Sequence, residues 1–251
     1  MYVVALCALG VGGATMLGAL VGFFARGISH RCSDAILAFA AGVSFASAVI
    51  GLVEPSIEYG GRFGILVTIV GIFVGAYTVT LLDGLTPRVH KFLTPGTTPE
   101  CVDARCSRVI IFVMAMAIHN LPEGIAAGVG FGTDDLSGAL LIALGIALQN
   151  LPEGMVIIAP MVSIGVPPVR VLLVALSTGL VEVVGTFLGY FAVSISTVIL
   201  PFSLAFAGGT MLYVVSHEMI PETHSHGNER SASYSLLLGF SLVFLIDWLL
   251  S

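Results

Sequence analysis

The chain has 251 residues, of which 57% are hydrophobic and only 10% are charged, whereas a soluble domain carries about 25% charged residues. So few charges cannot cover the surface of a water-soluble protein of this size, which excludes a soluble enzyme, a nucleic-acid-binding protein and a disordered protein. The net charge of −6 does not describe an acidic surface, because several carboxylates lie within apolar segments. The composition indicates a membrane protein with several spans.

Eight apolar segments are long enough to cross a bilayer as helices, which takes about 20 mostly apolar residues each. The second is diluted by small residues, but small residues favour close helix packing in membranes, and the alternating pattern of a membrane β-barrel is absent. We therefore expect an all-α polytopic membrane protein with one transmembrane domain over 1–251. Its helices are predicted at about 2–25, 35–57, 63–84, 108–131, 137–161, 169–191, 195–220 and 232–250.

The positively charged residues are distributed unevenly between the two ends of these helices. Only Arg62 lies on one side. The other Lys and Arg residues lie in or beside the loops after helices one, three, five and seven: Arg26, Arg31, Arg88, Lys91, Arg105, Arg108, Arg170 and Arg230. Because cytoplasmic loops carry an excess of Lys and Arg, this asymmetry predicts extracytoplasmic termini and a cytosolic loop at 86–107.

One short motif occurs twice. Asn-Leu-Pro-Glu-Gly spans 120–124 in the predicted fourth helix and 150–154 in the fifth. Since consecutive membrane helices run antiparallel, the two copies are expected to face each other at similar depth. Each proline removes a backbone hydrogen bond and is expected to kink its helix, and each glycine allows a neighbouring backbone to approach closely.

Several ionisable side chains lie within the predicted spans, where each costs at least about 2.5–3.5 kcal/mol and indicates a functional site. The alternative is that these groups neutralise one another through buried hydrogen bonds. No Lys or Arg lies within the spans, however, so either a cation balances the carboxylates or several of them are protonated. A divalent metal ion fits the first case. The residues are His119, Glu123, Glu153, Glu182, His217 and Glu218.

The helical spacing around the repeated motif favours a mixed nitrogen and oxygen ligand set. Residues three or four apart share one face of a helix. Glu123 and Glu153 each have a polar residue three positions earlier and another four positions earlier, so each glutamate shares a helix face with two polar side chains. Where the two faces meet, each glutamate is placed to bridge two metal ions. Such donors suit Zn, Fe, Mn and similar divalent ions. The polar residues are His119 and Asn120 in the first copy and Gln149 and Asn150 in the second.

Glu182 lies near the centre of the predicted sixth helix, and its only polar neighbours within a turn are Thr178 and Thr186. Its partner must therefore lie on another helix. We interpret Glu182 as a third carboxylate ligand for a metal ion, with a protonated packing glutamate as the alternative.

A polar cluster of His217, Glu218 and Glu222 ends the seventh helix on the predicted cytosolic side. It begins like the His-Glu-x-x-His motif of zinc proteases, but Pro221 stands where the second histidine is required. The cluster is therefore expected to form an exit pathway for metal ions.

An entrance pathway is expected at the outer end of the second helix. Glu54 lies near that end, and Ser47 lies two turns deeper. For Glu54, an ordinary boundary residue beside Pro55 is an equally strong interpretation.

These residues resemble the ZIP (Zrt/Irt-like) divalent metal transporters, in particular the GufA-like branch. The resemblance rests on three features of the sequence. The first is the pair of motif copies, each with the polar residue that precedes it; the second is Glu182. The third is the segment Gly209-Thr210-Met211-Leu212-Tyr213, which is followed by His217-Glu218. It implies a binuclear metal centre between helices four and five, an elevator-like movement of helices one, four, five and six against the others, and a homodimer. Gln149 departs from the family pattern, because many members have histidine there.

The resemblance also implies the division of ligands between the two metal sites. The bridging residues Glu123 and Glu153 belong to both sites. They are joined by His119 and Gln149 in the first site and by Asn120, Asn150 and Glu182 in the second.

We therefore expect a transporter, and not an enzyme, that carries Zn²⁺ and also Fe²⁺, Mn²⁺ or Cd²⁺ into the cytosol. Its partners would be metal ions and the lipid of a bacterial inner membrane, with no nucleic acid and no cofactor besides the transported metal. Two alternatives are weaker. An intramembrane metalloprotease needs a pair of histidines on one helix, which is missing, and a coupled carrier of an organic solute usually shows broken helices and paired inverted halves.

Overall fold

The computed structural model describes residues 1–24, 29–93, 120–132, 136–163, 165–195 and 197–250. These residues form helices and no strand, so the expected all-α fold is confirmed. Within them, seven helices are long and apolar enough to cross a membrane, and 120–130 is part of a further helix.

The helices follow the predicted order along the chain. We number them α1 (Tyr2–Phe24), α2 (Arg31–Tyr59), α3 (Gly64–Leu93), α4 (120–130), α5 (Leu136–Ser163), α6 (Pro168–Ile195), α7 (Leu200–Thr223) and α8 (Glu229–Leu250). Ser29 caps the N-terminal end of α2, and its side chain accepts a hydrogen bond from the Cys32 backbone N–H.

Helix α3 extends beyond its predicted span. The span is predicted to end at about residue 84, and the backbone remains helical to Leu93. A run of apolar residues shows which part of a segment can lie in the hydrocarbon core of the bilayer, and this run ends at the first polar residues. The backbone hydrogen bonds of a helix continue beyond that point, since polar residues outside the bilayer form helices as well. The other described helix ends differ from the predicted ones by a few residues.

A π turn interrupts α2 at Val49–Val53 and α7 at Val215–Met219. In both helices a proline follows two residues after the turn, at Pro55 and Pro221. A proline has no N–H to donate to the carbonyl four residues earlier and clashes with it, and in both cases that carbonyl belongs to the π turn. The wider turn therefore accommodates the proline without ending the helix.

The described helices pack in two groups. In the first, α1 lies against α5 and α6, and α4 lies against α6. In the second, α8 packs along α2 and α7 packs along α3. Within the described residues, the main contact between the two groups is that of α2 with α5. Small residues line this contact, where Ser47 of α2 meets Gly145 of α5.

The α2–α8 pair depends on a glycine. A Cβ atom on Gly42 would stand 1.9 Å from the Leu236 carbonyl oxygen and 2.8 Å from the Phe240 backbone nitrogen. Both neighbours are backbone atoms, so no side-chain movement relieves the clash. Only glycine at this position allows the two helices to approach as closely as they do.

Gly42→Ala is predicted to lower the free energy of unfolding by about 1–3 kcal/mol, because overpacking forces the two backbones apart. Thermal unfolding of the purified protein in detergent, followed by circular dichroism, measures the change. Gly10→Ala is the matched control. A Cβ on Gly10 meets no atom within 4 Å, and alanine is the better helix former. Equal melting temperatures for the two variants would contradict the packing argument.

Candidate metal site

Glu182 is the point at which four helices meet. The residue is fully buried on α6. Its Oε1 accepts a hydrogen bond from the hydroxyl of Thr15 on α1, with Oγ1 and Oε1 2.7 Å apart, and another from the Asn120 side-chain amide on α4. Its Oε2 accepts one from the Asn150 side-chain amide on α5. The expectation that Glu182 finds its partner on another helix is confirmed, and all three donors are neutral.

The polar residues nearest to Glu182 in sequence do not reach its carboxylate. Thr178 Oγ1 donates to the Ala175 carbonyl oxygen at 2.9 Å, and Thr186 Oγ1 donates to the Glu182 carbonyl oxygen at 2.9 Å. Both hydroxyls are therefore used by the backbone of their own helix. The carboxylate depends on the other three helices.

The two copies of the repeated motif lie side by side, as the antiparallel arrangement predicts. Gln149 Nε2 of α5 donates a hydrogen bond to Glu123 Oε1 of α4, with the two atoms 2.7 Å apart. Both residues are buried. This bond and the amide bonds to Glu182 bring the polar residues of α4, α5 and α6 together in one buried cluster.

The motif glycines bring the neighbouring backbones close to this cluster. A Cβ on Gly124 would lie 2.3 Å from the Glu182 carbonyl oxygen, and one on Gly154 would lie 2.1 Å from the Thr15 carbonyl oxygen. The predicted close approach is therefore confirmed for both glycines. It sets α6 against α4 and α1 against α5 at the level of the buried carboxylates.

Three buried carboxylates share this region. Glu153 on α5 is 5% exposed and lies within electrostatic range of Glu123, Glu182 and, on α7, Glu218. Within the described residues, no Lys or Arg forms an ion pair in this region. The carboxylates therefore repel one another, and a bound cation would relieve that repulsion.

Two amide oxygens in the cluster are buried without a hydrogen-bond donor among the described residues: Gln149 Oε1 and Asn150 Oδ1. A buried acceptor without a donor costs about 1–3 kcal/mol. A hard divalent cation accepts oxygen donors of this kind, from amides as well as from carboxylates. The cluster therefore has amide and carboxylate oxygens available to such an ion.

The predicted ligand set is only partly assembled. No three His, Cys, Asp or Glu side chains within the described residues are placed to hold a metal ion together. His119 lies outside the described residues. The amides of Asn120 and Asn150 present NH₂ groups to Glu182, and an NH₂ group donates hydrogen bonds and cannot bind a cation.

The exit residues lie in and after the π turn of α7. His217 is exposed, and its ring stacks on Tyr213 with 5.0 Å between the centroids. Glu218 is partly buried and lies within electrostatic range of Glu153, whereas Glu222 is exposed. Of the exit residues, Glu218 therefore interacts electrostatically with the buried carboxylates.

The two entrance residues have different surroundings. Glu54 is exposed just after the π turn of α2. Ser47 is fully buried against Gly145, and its hydroxyl has no hydrogen-bond partner among the described residues. Of the two entrance residues, only Glu54 is therefore accessible in this structure.

Thr15 is the site residue that sequence reasoning missed. It is buried in α1 and donates to Glu182 across 167 positions of sequence. An uncharged threonine in a Gly- and Ala-rich apolar helix gives no functional signal. The one available hint was its spacing, because Thr15 lies on the same helix face as the small residues that pack against α5 and α6.

The chain is similar in sequence to known zinc transporters. A family model described as ZIP Zinc transporter matches residues 97–247. The chain is 39% identical over 246 residues to the zinc transporter ZIPB of Bordetella bronchiseptica, covering 93% of this chain and 77% of that protein. It is 36% identical over 242 residues to the zinc transporter GufA of Myxococcus xanthus, covering 94% of each. It is 29% identical over 319 residues to the zinc transporter ZIP11 of Homo sapiens, covering 94% of this chain and 93% of that protein. The chain belongs to the ZIP family of zinc transporters.

Proposed function

We propose that this protein transports divalent metal ions, chiefly Zn²⁺ and also Fe²⁺, Mn²⁺ or Cd²⁺, into the cytosol. The family and the printed names of its relatives support zinc as the substrate. The observation that carries the proposal is the fully buried Glu182, held by neutral donors from three helices beside Glu123 and Glu153. This arrangement concentrates carboxylates at a depth where a bound divalent cation would stabilise their negative charge.

The metal ions bind between α4 and α5 in two adjacent sites. Glu123 and Glu153 bridge them, because each lies at the meeting point of the two helices. The hydrogen bond between Gln149 and Glu123 supports the pairing of these helices at this level. The further ligands are His119 and Gln149 in the first site and Asn120, Asn150 and Glu182 in the second.

Metal binding exchanges hydrogen bonds for coordination bonds. The amides of Asn120 and Asn150 now donate to Glu182 through nitrogen. To bind a cation, each amide turns about its last side-chain bond so that oxygen replaces nitrogen, and Glu182 gives up the amide donors. Thr15 keeps its hydrogen bond to Glu182 Oε1 during this exchange, since its hydroxyl approaches from α1, outside the space between α4 and α5.

The packing supports a moving group of α1, α4, α5 and α6 against a frame of α2, α3, α7 and α8. The two groups meet mainly where α2 contacts α5, and the small residues there form a smooth surface that permits sliding. Ser47 is buried at this contact while His217 is exposed. We therefore infer a conformation closed toward Glu54 and open toward Glu218 and Glu222.

The protein lies in a bacterial plasma membrane as a single transmembrane domain, and both of its termini are extracytoplasmic. It acts as a homodimer and carries out no covalent chemistry, which agrees with relatives that are named as transporters.

Glu123→Ala combined with Glu153→Ala is predicted to abolish zinc uptake by proteoliposomes, because both bridging carboxylates are lost while the spans keep their apolar faces. Glu58→Ala combined with Glu229→Ala removes two exposed carboxylates and serves as the matched control. Wild-type uptake by the first double variant, at equal protein incorporation, would contradict the proposal.

Gln149→His is predicted to tighten zinc binding at the first site by about tenfold, because imidazole nitrogen is a stronger ligand for Zn²⁺ than an amide oxygen. Isothermal titration calorimetry of the purified protein measures the change. An unchanged dissociation constant would show that residue 149 does not contact the metal.

Thr15→Val is predicted to raise the KM for zinc uptake severalfold, because valine matches threonine in shape but leaves Glu182 without its α1 donor. Thr15→Ser keeps the hydroxyl and is predicted to restore KM to within about twofold of the wild type. If the two variants behaved alike, the residue would contribute only its shape, and the hydrogen bond would have no role in positioning Glu182.

A further inference from the structure

A cavity of about 540 Å³ lies away from the metal site, at the N-terminal ends of α2 and α8. Arg31 is in the first turn of α2, and Arg230 is in the first turn of α8. The cavity is lined by Arg31, Arg230, Ser231, Tyr234, Ser235 and Leu238. Two guanidinium groups, three hydroxyl groups and one apolar side chain therefore surround a single space.

The two guanidinium groups have no anionic partner in the described part of the chain. Neither Arg31 nor Arg230 forms an ion pair or a hydrogen bond there. The carboxylate closest to Arg31 in sequence, that of Asp34, is buried. Its two oxygens lie 3.0 Å from His226 Nδ1 and 2.8 Å from Asn228 Nδ2. Both oxygens of Asp34 therefore already have partners, and among the described residues no carboxylate pairs with the two guanidinium groups of the cavity.

The lining has the chemistry that recognises a phosphate group. Guanidinium groups bind phosphate through paired, charge-assisted hydrogen bonds, and serine and tyrosine hydroxyls donate further bonds. The positive ends of the α2 and α8 helix dipoles, which lie at this end of the two helices, add to the attraction for an anion. The cavity therefore fits a phosphate ester better than it fits a carboxylate or an apolar ligand.

The position of the cavity indicates where the phosphate comes from. Tyr234 and Leu238 are each 65% exposed on α8, and only 17% of the apolar window of this helix is buried within the protein. The outer surface of α8 therefore faces lipid. A phosphate in the cavity would lie at the headgroup level, while its acyl chains would follow the apolar surface below Leu238.

We propose that this cavity binds the headgroup phosphate of an anionic phospholipid. Basic pockets between helix ends on the cytoplasmic side of membrane proteins suit such headgroups, and the arginine asymmetry of this chain places both arginines on that side. The site depends on the membrane location of the protein and is separate from the proposed metal transport.

The test is native mass spectrometry of the full chain in neutral detergent, titrated with phosphatidylglycerol or with phosphatidylcholine of the same acyl chains. The wild type is expected to retain phosphatidylglycerol in preference to phosphatidylcholine. Arg31→Gln combined with Arg230→Gln is expected to weaken phosphatidylglycerol binding about tenfold, because each arginine near the membrane surface contributes to the attraction for anionic lipid.

The matched control is Arg62→Gln combined with Arg170→Gln. It removes the same charge from two exposed arginines that do not line the cavity, and it is expected to change binding less than twofold. Equal losses in both double variants would show general charge attraction and would overturn the proposal. Equal retention of both lipids by the wild type, or no loss in the cavity variant, would overturn it as well.

Two further experiments are needed. The first distinguishes a lipid headgroup from free phosphate, and the second provides a test if the arginine variant does not fold. Phosphatidylglycerol is expected to raise the melting temperature of the wild type, while inorganic phosphate alone is not. A matching rise with inorganic phosphate would overturn the lipid assignment.

Ser231→Ala combined with Ser235→Ala leaves both arginines in place and is expected to weaken lipid binding by about threefold. If the arginine variant failed to fold, unchanged binding by the serine variant would overturn the proposal.

Discussion

The arrangement of the buried helices depends on the cost of placing carboxylates in a low-dielectric interior. Glu182 meets that cost in the structure by accepting hydrogen bonds from α1, α4 and α5. Each donor comes from a different helix, so the carboxylate fixes the relative positions of all four. Glu123 is held similarly by Gln149 of the neighbouring helix. The contacts that stabilise the structure therefore involve the same atoms that a divalent cation would use. This explains how one cluster can serve both packing and metal binding.

Two of the frame helices, α2 and α7, accommodate a proline without ending. Each of α2 and α7 contains a π turn followed by a proline. In α7 the turn holds His217 and Glu218, and Glu218 lies within electrostatic range of Glu153. A π turn rotates the following side chains relative to a regular α-helix. The irregularity of α7 thus coincides with the polar residues expected at the exit.

Sequence reasoning predicted those parts of the structure that depend on local spacing and apolarity. The spans follow from segment length, and the pairing of the two motifs follows from their antiparallel helices. It missed Thr15, because one hydroxyl in an apolar helix has neither charge nor periodicity to mark it. It could not predict that the amides of Asn120 and Asn150 would present nitrogen to Glu182, since this orientation depends on neighbours distant in sequence. Hydropathy also could not show that α3 continues to Leu93, because it follows the bilayer and not the helical hydrogen bonds.

The central claim is that the opposed glutamates of α4 and α5 are tolerated in the membrane because divalent cations bind between them. Anomalous X-ray scattering from crystals of the full chain soaked in zinc tests it most directly. We predict peaks between α4 and α5, at about 2.0–2.2 Å from carboxylate oxygens of Glu123 and Glu153. The absence of any peak there at saturating zinc, or glutamates turned outward to lipid, would contradict the claim.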